Sequence, residues 1–336
     1  EVEFVACYFI KNSGQALAQA TAALMRALDV TSDDVATQKR IAARLEPFVD
    51  AVLPNRTLRI SIGGQEEQTL GPSSHSGISS ALHELHFPAP TPPSRTIESS
   101  PVNLPPPFGL PAITTFSDET GWAVVSDIDD TIKITQSPSP LGILTNTFLI
   151  DTPQAVPGMP DLYNKMSILL AQPPFFYLSA SPYPLYPFLR RFRDAHAYPS
   201  GPLILRDASW QNLGGLITSL QQNTQEYKED RLAKIHAWFP HRRVVCLGDS
   251  TQSDPEAYGA TARRFPGWIR AVFIRKVTGI AEMNEREKNS AGRFEKAFEG
   301  LERRLWHVFT DPKELEERME ELSKNPEALV GGEMYG

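Results

Sequence analysis

The sequence predicts an α/β protein: a doubly wound parallel sheet preceded by a smaller N-terminal region. Three observations carry that prediction. Short, valine-rich apolar runs recur from about residue 112 onward, as strands buried on both faces of a parallel sheet do. Segments with helical spacing separate them, as crossover helices would. Several of the runs end in clusters of Asp, Ser and Thr, and open parallel sheets gather ligands beyond the carboxyl ends of their strands. The expected architecture is Rossmann-like.

In chain order, residues 1–60 read as helical. Gly14 to Leu28 is alanine-rich with apolar residues at helical spacing, and Thr31-Ser32-Asp33-Asp34 reads as a cap before a second helix reaching about Val52. Leu58-Arg59-Ile60-Ser61-Ile62 alternates like a half-buried strand. Prolines then crowd between Pro88 and Pro111, which forbids a normal helix or central strand and reads as an extended linker or a long loop pinned to a surface. The reading therefore divides the chain into an accessory region, residues 1–110, and a main domain, residues 111–336. In the main domain the expected strands are Trp122–Ser126, Phe175–Ser179, Leu203–Arg206, Val244–Leu247 and Ile269–Ile274. The expected helices are Asp161–Leu170, Leu185–Ala195, Lys228–Trp238 and Pro255–Arg264, with a last helix capped by Asp311.

The bulk numbers narrow the class. With 336 residues, 41% of them hydrophobic and 22% charged, the chain is long enough for a large domain with a core plus a smaller one. A net charge of −7 without a Lys/Arg block argues against a nucleic-acid partner and against polybasic anchoring to an anionic membrane. Only Cys7 and Cys246 are present, so there is no disulfide framework and no zinc-ligand spacing, which favours a reducing compartment. His83 and His86 have no partner in sequence that completes a zinc site, and no Gly-x-Ser-x-Gly elbow points to a serine hydrolase. The chain begins at Glu1 and reads as a fragment or processed form, so a missing targeting signal carries no weight.

The chemistry concentrates at three strand ends. Ala123-Val124-Val125-Ser126 delivers Asp127, Asp129, Asp130 and Thr131; Phe175-Phe176-Tyr177-Leu178 delivers Ser179 and Ser181; Val244-Val245-Cys246-Leu247 delivers Gly248, Asp249 and Asp254. Lys228 precedes the last of these on a helix. Neighbouring carboxylates repel unless a cation or a shared proton intervenes. A phosphomonoester is a dianion, so a carboxylate nucleophile needs a cation in order to approach it, and Mg²⁺ suits carboxylate, phosphate and water ligands. A second carboxyl can protonate a leaving oxygen, while Lys and hydroxyl groups hold phosphoryl oxygens. Asp130 reads as a cap for the chain leaving the strand, and Arg190, Arg191 and Arg206 as exposed charge.

The order Asp-x-Asp-x-Thr, then Ser, then Lys, then Gly-Asp resembles the haloacid-dehalogenase superfamily. That resemblance implies Asp127 as nucleophile and metal ligand, and Asp129 as general acid/base with its backbone carbonyl on the metal. It implies Thr131 and Ser179 as phosphate-binding residues, with Ser181 as the alternative to Ser179. Lys228 would be catalytic and phosphate-binding, with Lys234 nearby in sequence, and Asp249 a metal ligand supported by Asp254. Ser126-Asp127-Ile128-Asp129-Asp130-Thr131-Ile132-Lys133, Leu178-Ser179-Ala180-Ser181-Pro182-Tyr183, Gly248-Asp249-Ser250-Thr251-Gln252-Ser253-Asp254-Pro255-Glu256, Pro157-Gly158-Met159 and Phe239-Pro240 together look like the fungal actin-patch phosphatidate phosphatase family, over roughly residues 115–310. Membership implies Mg²⁺-dependent hydrolysis of phosphatidate or a related lipid phosphate by a cytoplasmic protein that visits membranes at actin patches. Thr251 departs from the glycine common at that place in the family, and positive φ there would strain a β-branched residue.

Two further features leave alternatives open. Leu141-Gly142-Ile143-Leu144 with Phe148-Leu149-Ile150 reads either as a lid that meets acyl chains or as a packed part of the core. Pro90, Pro93 and Arg95 fit a Pro-x-x-Pro-x-Arg ligand for SH3 domains, or else a stiff linker. The rival functions are a phosphatase for a protein or soluble phosphomonoester, and an endocytic adaptor recruited through SH3 domains.

Overall fold

The computed structural model describes residues 1–11, 14–31, 33–87, 96–102, 111–207, 217 and 223–325. Pro90, Pro93 and Arg95 lie outside the described residues. A six-stranded parallel sheet forms the centre, in the order Leu203–Arg206, Phe175–Pro182, Gly121–Asp127, Arg242–Asp249, Ile269–Arg275, Trp306–Phe309. Side chains alternate along the central strand. Trp122 and Val124 enter one apolar cluster, with Met159, Tyr163 and Phe188. Ala123 and Val125 enter the other, with Leu232, Ile235 and Tyr258. Helices Met159–Leu169 and Tyr186–Ala195 thus cover one face, and Thr224–Trp238 and Asp254–Arg264 the other. Both faces being covered is why the strands read as continuous apolar runs. The expected Rossmann-like α/β fold is the one observed.

After Gly121–Asp127 the chain builds outward through Phe175–Pro182 to Leu203–Arg206, then crosses back to place Arg242–Asp249 on the opposite side of Gly121–Asp127. The order of strands reverses there, which makes the carboxyl ends of Gly121–Asp127 and Arg242–Asp249 the crevice of the fold. Register sets the depth of the residues in it: Asp127 pairs with Leu178, and Ser126 with Leu247. Asp127 therefore stands level with the residue before Ser179, and close to Gly248-Asp249. The edge strand Trp306–Phe309 was not expected; four residues after two arginines give too little periodicity to read.

The N-terminal residues correct the helical reading of residues 1–60. Val2–Cys7 is a strand, paired antiparallel with Ile78–His83, and Phe9–Ile10 pairs with Ala51–Val52. Their partners are too distant in sequence for local pattern to reveal. The two expected helices are present as Gln15–Ala27 and Val35–Val49, the second capped by Asp34, whose side chain accepts from the Thr37 amide at 2.9 Å. A four-stranded antiparallel sheet follows, ordered Glu66–Leu70, Leu58–Ile62, Thr96–Pro101, Ala112–Thr115. The expected division after residue 110 passes just before its last strand.

The helices of this region share the main core. Leu24, Met25, Ile41, Leu45 and Phe48 belong to the same cluster as Phe148 and Phe188, and the Phe48 and Phe148 rings meet at 5.8 Å. Arg44 donates to the carbonyls of Thr147 (3.2 Å), Ile150 (2.6 Å) and Asp151 (2.7 Å), and Arg40 to that of Leu149 (2.9 Å). This settles the greasy segment: Ile143 and Phe148 are fully buried core residues and Leu144 packs against the core, so the acyl-contact reading does not hold for Leu144 and Phe148. Only Leu141 of that group is exposed, at 54%. Among the described residues no helix is long and apolar enough to cross a membrane.

Candidate active site

Asp127 is the last residue of its strand and is completely buried. Its Oδ1 accepts from Lys228 Nζ at 2.7 Å, whereas Oδ2 is buried without a hydrogen-bond partner among the described residues. Lys228 lies on Thr224–Trp238, one turn further into the helix than its start, and also donates to Asp254 Oδ1. Lys234, the other lysine of that helix, pairs instead with Glu3. The lysine expected in the site is therefore the one that reaches it.

Asp249 ends the Arg242–Asp249 strand. Its Oδ1 accepts from the Thr251 amide at 2.6 Å, its Oδ2 from the Thr131 hydroxyl at 3.2 Å, and its own amide donates to Asp254 Oδ2 at 3.0 Å. Thr251 does not have positive φ, so the strain foreseen for a threonine there does not arise. Gly248 is required for a different reason: a Cβ on it would stand 2.5 Å from the Cβ of Asp254. The loop must approach that closely for Asp254 to reach both Lys228 and the Asp249 amide.

Carboxylate oxygens of Asp127, Asp249 and Asp254 all lie within 4.8 Å of one another, with one lysine among them. The electrostatics register that imbalance. Burial, then the Asp254, Asp249 and Asp129 charges, hold the Asp127 carboxyl well above the usual range against the opposing pull of Lys228. Burial, then Asp254 and Asp130, push Asp249 up to about 7. Burial alone would lower Lys228, but Asp127, Asp254 and Asp249 outweigh it and its pKa rises. Three buried carboxylates with a single ammonium among them carry a surplus of negative charge, and their oxygens are the hard ligands that fit a divalent cation.

Asp129 is placed differently. Its Oδ1 accepts from the Thr135 hydroxyl at 2.7 Å, and its Oδ2 from Ser179 at 2.6 Å and Ser181 at 3.1 Å. Its carboxylate is not among the three that cluster. The structure thus sets both Ser179 and its alternative Ser181 on Asp129, and Thr131 on Asp249. Asp130 behaves as the cap it was read to be: its carboxylate accepts from the amides of Thr135, Gln136 and Ser137 at 2.9, 2.7 and 2.6 Å. Arg206 lies over the Tyr227 ring, and Arg190 pairs with Asp194. Thr135 and Lys133 were missed as site residues. A threonine in a turn and a lysine after an acidic motif have no local signature; only their burial marks them.

Comparison with known proteins finds relatives over the part of the chain that carries these residues. A family described as "Phosphatidate phosphatase APP1, catalytic domain" matches residues 122–276. The chain is 31% identical over 180 residues to the protein named phosphatidate phosphatase APP1 of Saccharomyces cerevisiae, covering 53% of this chain and 28% of the yeast protein. It is 29% identical over 182 residues to an uncharacterized protein of Schizosaccharomyces pombe, covering 52% and 29%. The chain therefore spans less than a third of the length of these relatives. The matched region contains Asp127, Asp129, Ser179, Lys228, Asp249 and Asp254, so the part of the chain that carries the site is the part similar to APP1-type phosphatidate phosphatase catalytic domains.

Proposed function

We propose that this chain is a Mg²⁺-dependent phosphatidate phosphatase, releasing diacylglycerol and phosphate through an aspartyl-phosphate on Asp127. The observation that carries the reading is the Asp127 carboxylate itself, held by Lys228 on one oxygen and bare on the other. The bare oxygen attacks phosphorus in line; the new bond is Asp127 Oδ2–P, and the bond that breaks is P–O to glycerol. The electron pair stays on the glycerol oxygen, which takes a proton from Asp129. Asp129 then removes a proton from the water that hydrolyses the aspartyl-phosphate. Lys228, Thr131 and Ser179 are the proposed phosphate-binding groups, with the hydroxyls turning from their carboxylate partners to the phosphoryl oxygens.

Asp127 and Asp249, the Asp129 carbonyl and the neighbouring Asp254 are the groups that would hold Mg²⁺. When bound, the ion supplies the positive charge that lets a carboxylate and a phosphate dianion share one site. Asp254 has both oxygens engaged, by Lys228 and by the Asp249 amide, so its main task is to position these two.

The wider setting belongs to the same proposal: a lipid phosphate as substrate, peripheral contact with a membrane, SH3 partners at Pro90, Pro93 and Arg95, and cytoplasmic work at actin patches in endocytosis. The experiment is phosphate release from phosphatidate micelles, phosphoserine and nucleoside monophosphates, with and without Mg²⁺. Mg²⁺-dependent turnover selective for phosphatidate is expected, with Asp127→Asn lowering it by more than about 10³-fold while the fold survives. Turnover that persists in Asp127→Asn would refute the nucleophile, and preference for a soluble ester would refute the lipid substrate.

A further inference from the structure

Lys133 is a large, buried and charged side chain to which the mechanism above gives no task. It is 1% exposed. Its ammonium donates to Thr135 Oγ1 at 2.9 Å and more weakly to the Ile134 carbonyl at 3.4 Å, and lies 5.5 Å from the centre of the Phe188 ring. Arg44, reaching in from the N-terminal helix Val35–Val49, lies over the same ring at 5.0 Å. Burying an ammonium is costly, and a position that keeps one has a compensating charge nearby. Burial lowers the Lys133 pKa, and Asp129 and then Asp130 act against that.

The direction of the hydrogen bonds follows from donor chemistry alone. An ammonium has three donors and no acceptor, so Lys133 donates to Thr135. A hydroxyl has a single proton, and the Thr135 proton is thereby directed at its other partner, Asp129 Oδ1, at 2.7 Å. Ser179 and Ser181, on Oδ2, carry no such constraint from a lysine and can turn to accept as well as donate. The two oxygens of Asp129 are therefore unequal: Oδ1 is held by a one-way donor and Oδ2 is met by hydroxyls that can reverse.

We propose that Lys133, acting through Thr135, is a positioning residue that locks the Asp129 carboxylate so that Oδ2 is the oxygen presented to the leaving group. This rests on the proposed role of Asp129 as general acid. Neither Lys133 nor Thr135 touches substrate in this scheme. A chain of contacts also links the relay to the N-terminal helices. Asn146 donates to the Thr135 carbonyl at 3.3 Å, and Arg44 holds the carbonyls of the turn that carries Asn146.

The test exploits the leaving group. The whole chain with Thr135→Val, Thr135→Ser, Lys133→Met or Asp129→Asn is mixed rapidly with phosphatidate or with p-nitrophenyl phosphate, and the burst of alcohol release is followed. An alkoxide needs a proton in order to depart, whereas p-nitrophenolate does not. Thr135→Val and Lys133→Met should slow the burst from phosphatidate about 10- to 100-fold with KM nearly unchanged, and the burst from p-nitrophenyl phosphate by less than about 3-fold. Thr135→Ser, which keeps the hydroxyl, should restore the wild-type burst. Equal losses on both substrates, or no loss on either, would overturn the relay. If Lys133→Met does not fold, the two Thr135 variants decide. Asp129→Asn separates the two layers: a selective loss there without one in Thr135→Val defeats the relay alone, and no selective loss in Asp129→Asn defeats the acid assignment beneath it.

Discussion

Asp127 ends its strand and Asp129 stands two positions beyond it, yet the fold surrounds them with opposite chemistry. The Asp127 side is a seam of ionisable groups, Lys228, Asp249 and Asp254, all buried, with one carboxylate oxygen unmet among the described residues. The Asp129 side is a ring of neutral hydroxyls from Thr135, Ser179 and Ser181, with every oxygen met. A buried surplus of negative charge with an open oxygen suits a site that awaits positive charge. A carboxylate held on one oxygen by a fixed donor and on the other by reversible hydroxyls suits one that exchanges a proton without moving. The difference teaches that identical side chains acquire separate tasks through the partners that adjacent strands bring to them.

The contrast can be broken most forcefully at Lys228. Lys228→Met should lower turnover by about 10²- to 10³-fold, as the loss of a cationic group on a transferring phosphoryl does. It should also lower stability by about 3–5 kcal/mol, because two buried carboxylates lose their shared counter-charge. Steady-state kinetics with urea unfolding measure both, and a variant that keeps wild-type turnover would remove Lys228 from the site.

Mg²⁺ offers a gentler probe that needs no catalysis. At about 100 times its Kd the ion should stabilise the wild type by about 2.7 kcal/mol. Thermal unfolding should show the shift abolished in Asp249→Asn and retained in Ser179→Ala. A shift lost equally in both variants would mean that the two sides are one site and the contrast is false.

Ser179→Ala should have the smallest effect. Ser181 still reaches Asp129 Oδ2 at 3.1 Å, so the loss is one hydrogen bond to a charged group, about 1.5 kcal/mol, with turnover down about 10-fold. A loss as large as that of Lys228→Met would show that Ser181 does not share the work of Ser179.

The central strands were legible because burial on both faces writes itself into the chain as uninterrupted apolar runs, such as Val244-Val245-Cys246-Leu247. The strand Val2–Cys7 was not, since its partner Ile78–His83 lies far away in sequence and its alternation is weak. Site residues followed the same division. Asp127, Lys228 and Asp249 stand in recognisable motifs. Thr135 and Lys133 are ordinary residue types whose significance is their burial beside Asp129. The greasy segment around Phe148 misled for a related reason: composition records that a residue is apolar, not which surface covers it, and here Phe48 of the N-terminal helix does so.

By itself the sequence determined the alternation of buried strands and helices, the three polar strand ends and the lysine between them, because these depend on local pattern and on residue chemistry. Tertiary structure alone decided that Asp249 and Asp254 would join Asp127 while Asp129 would turn to Thr135, Ser179 and Ser181. It likewise decided that helices from the first fifty residues would close over the segment near the site. The reason is that strand order and register, not proximity along the chain, set which side chains share a crevice, and those are fixed only when the sheet is assembled.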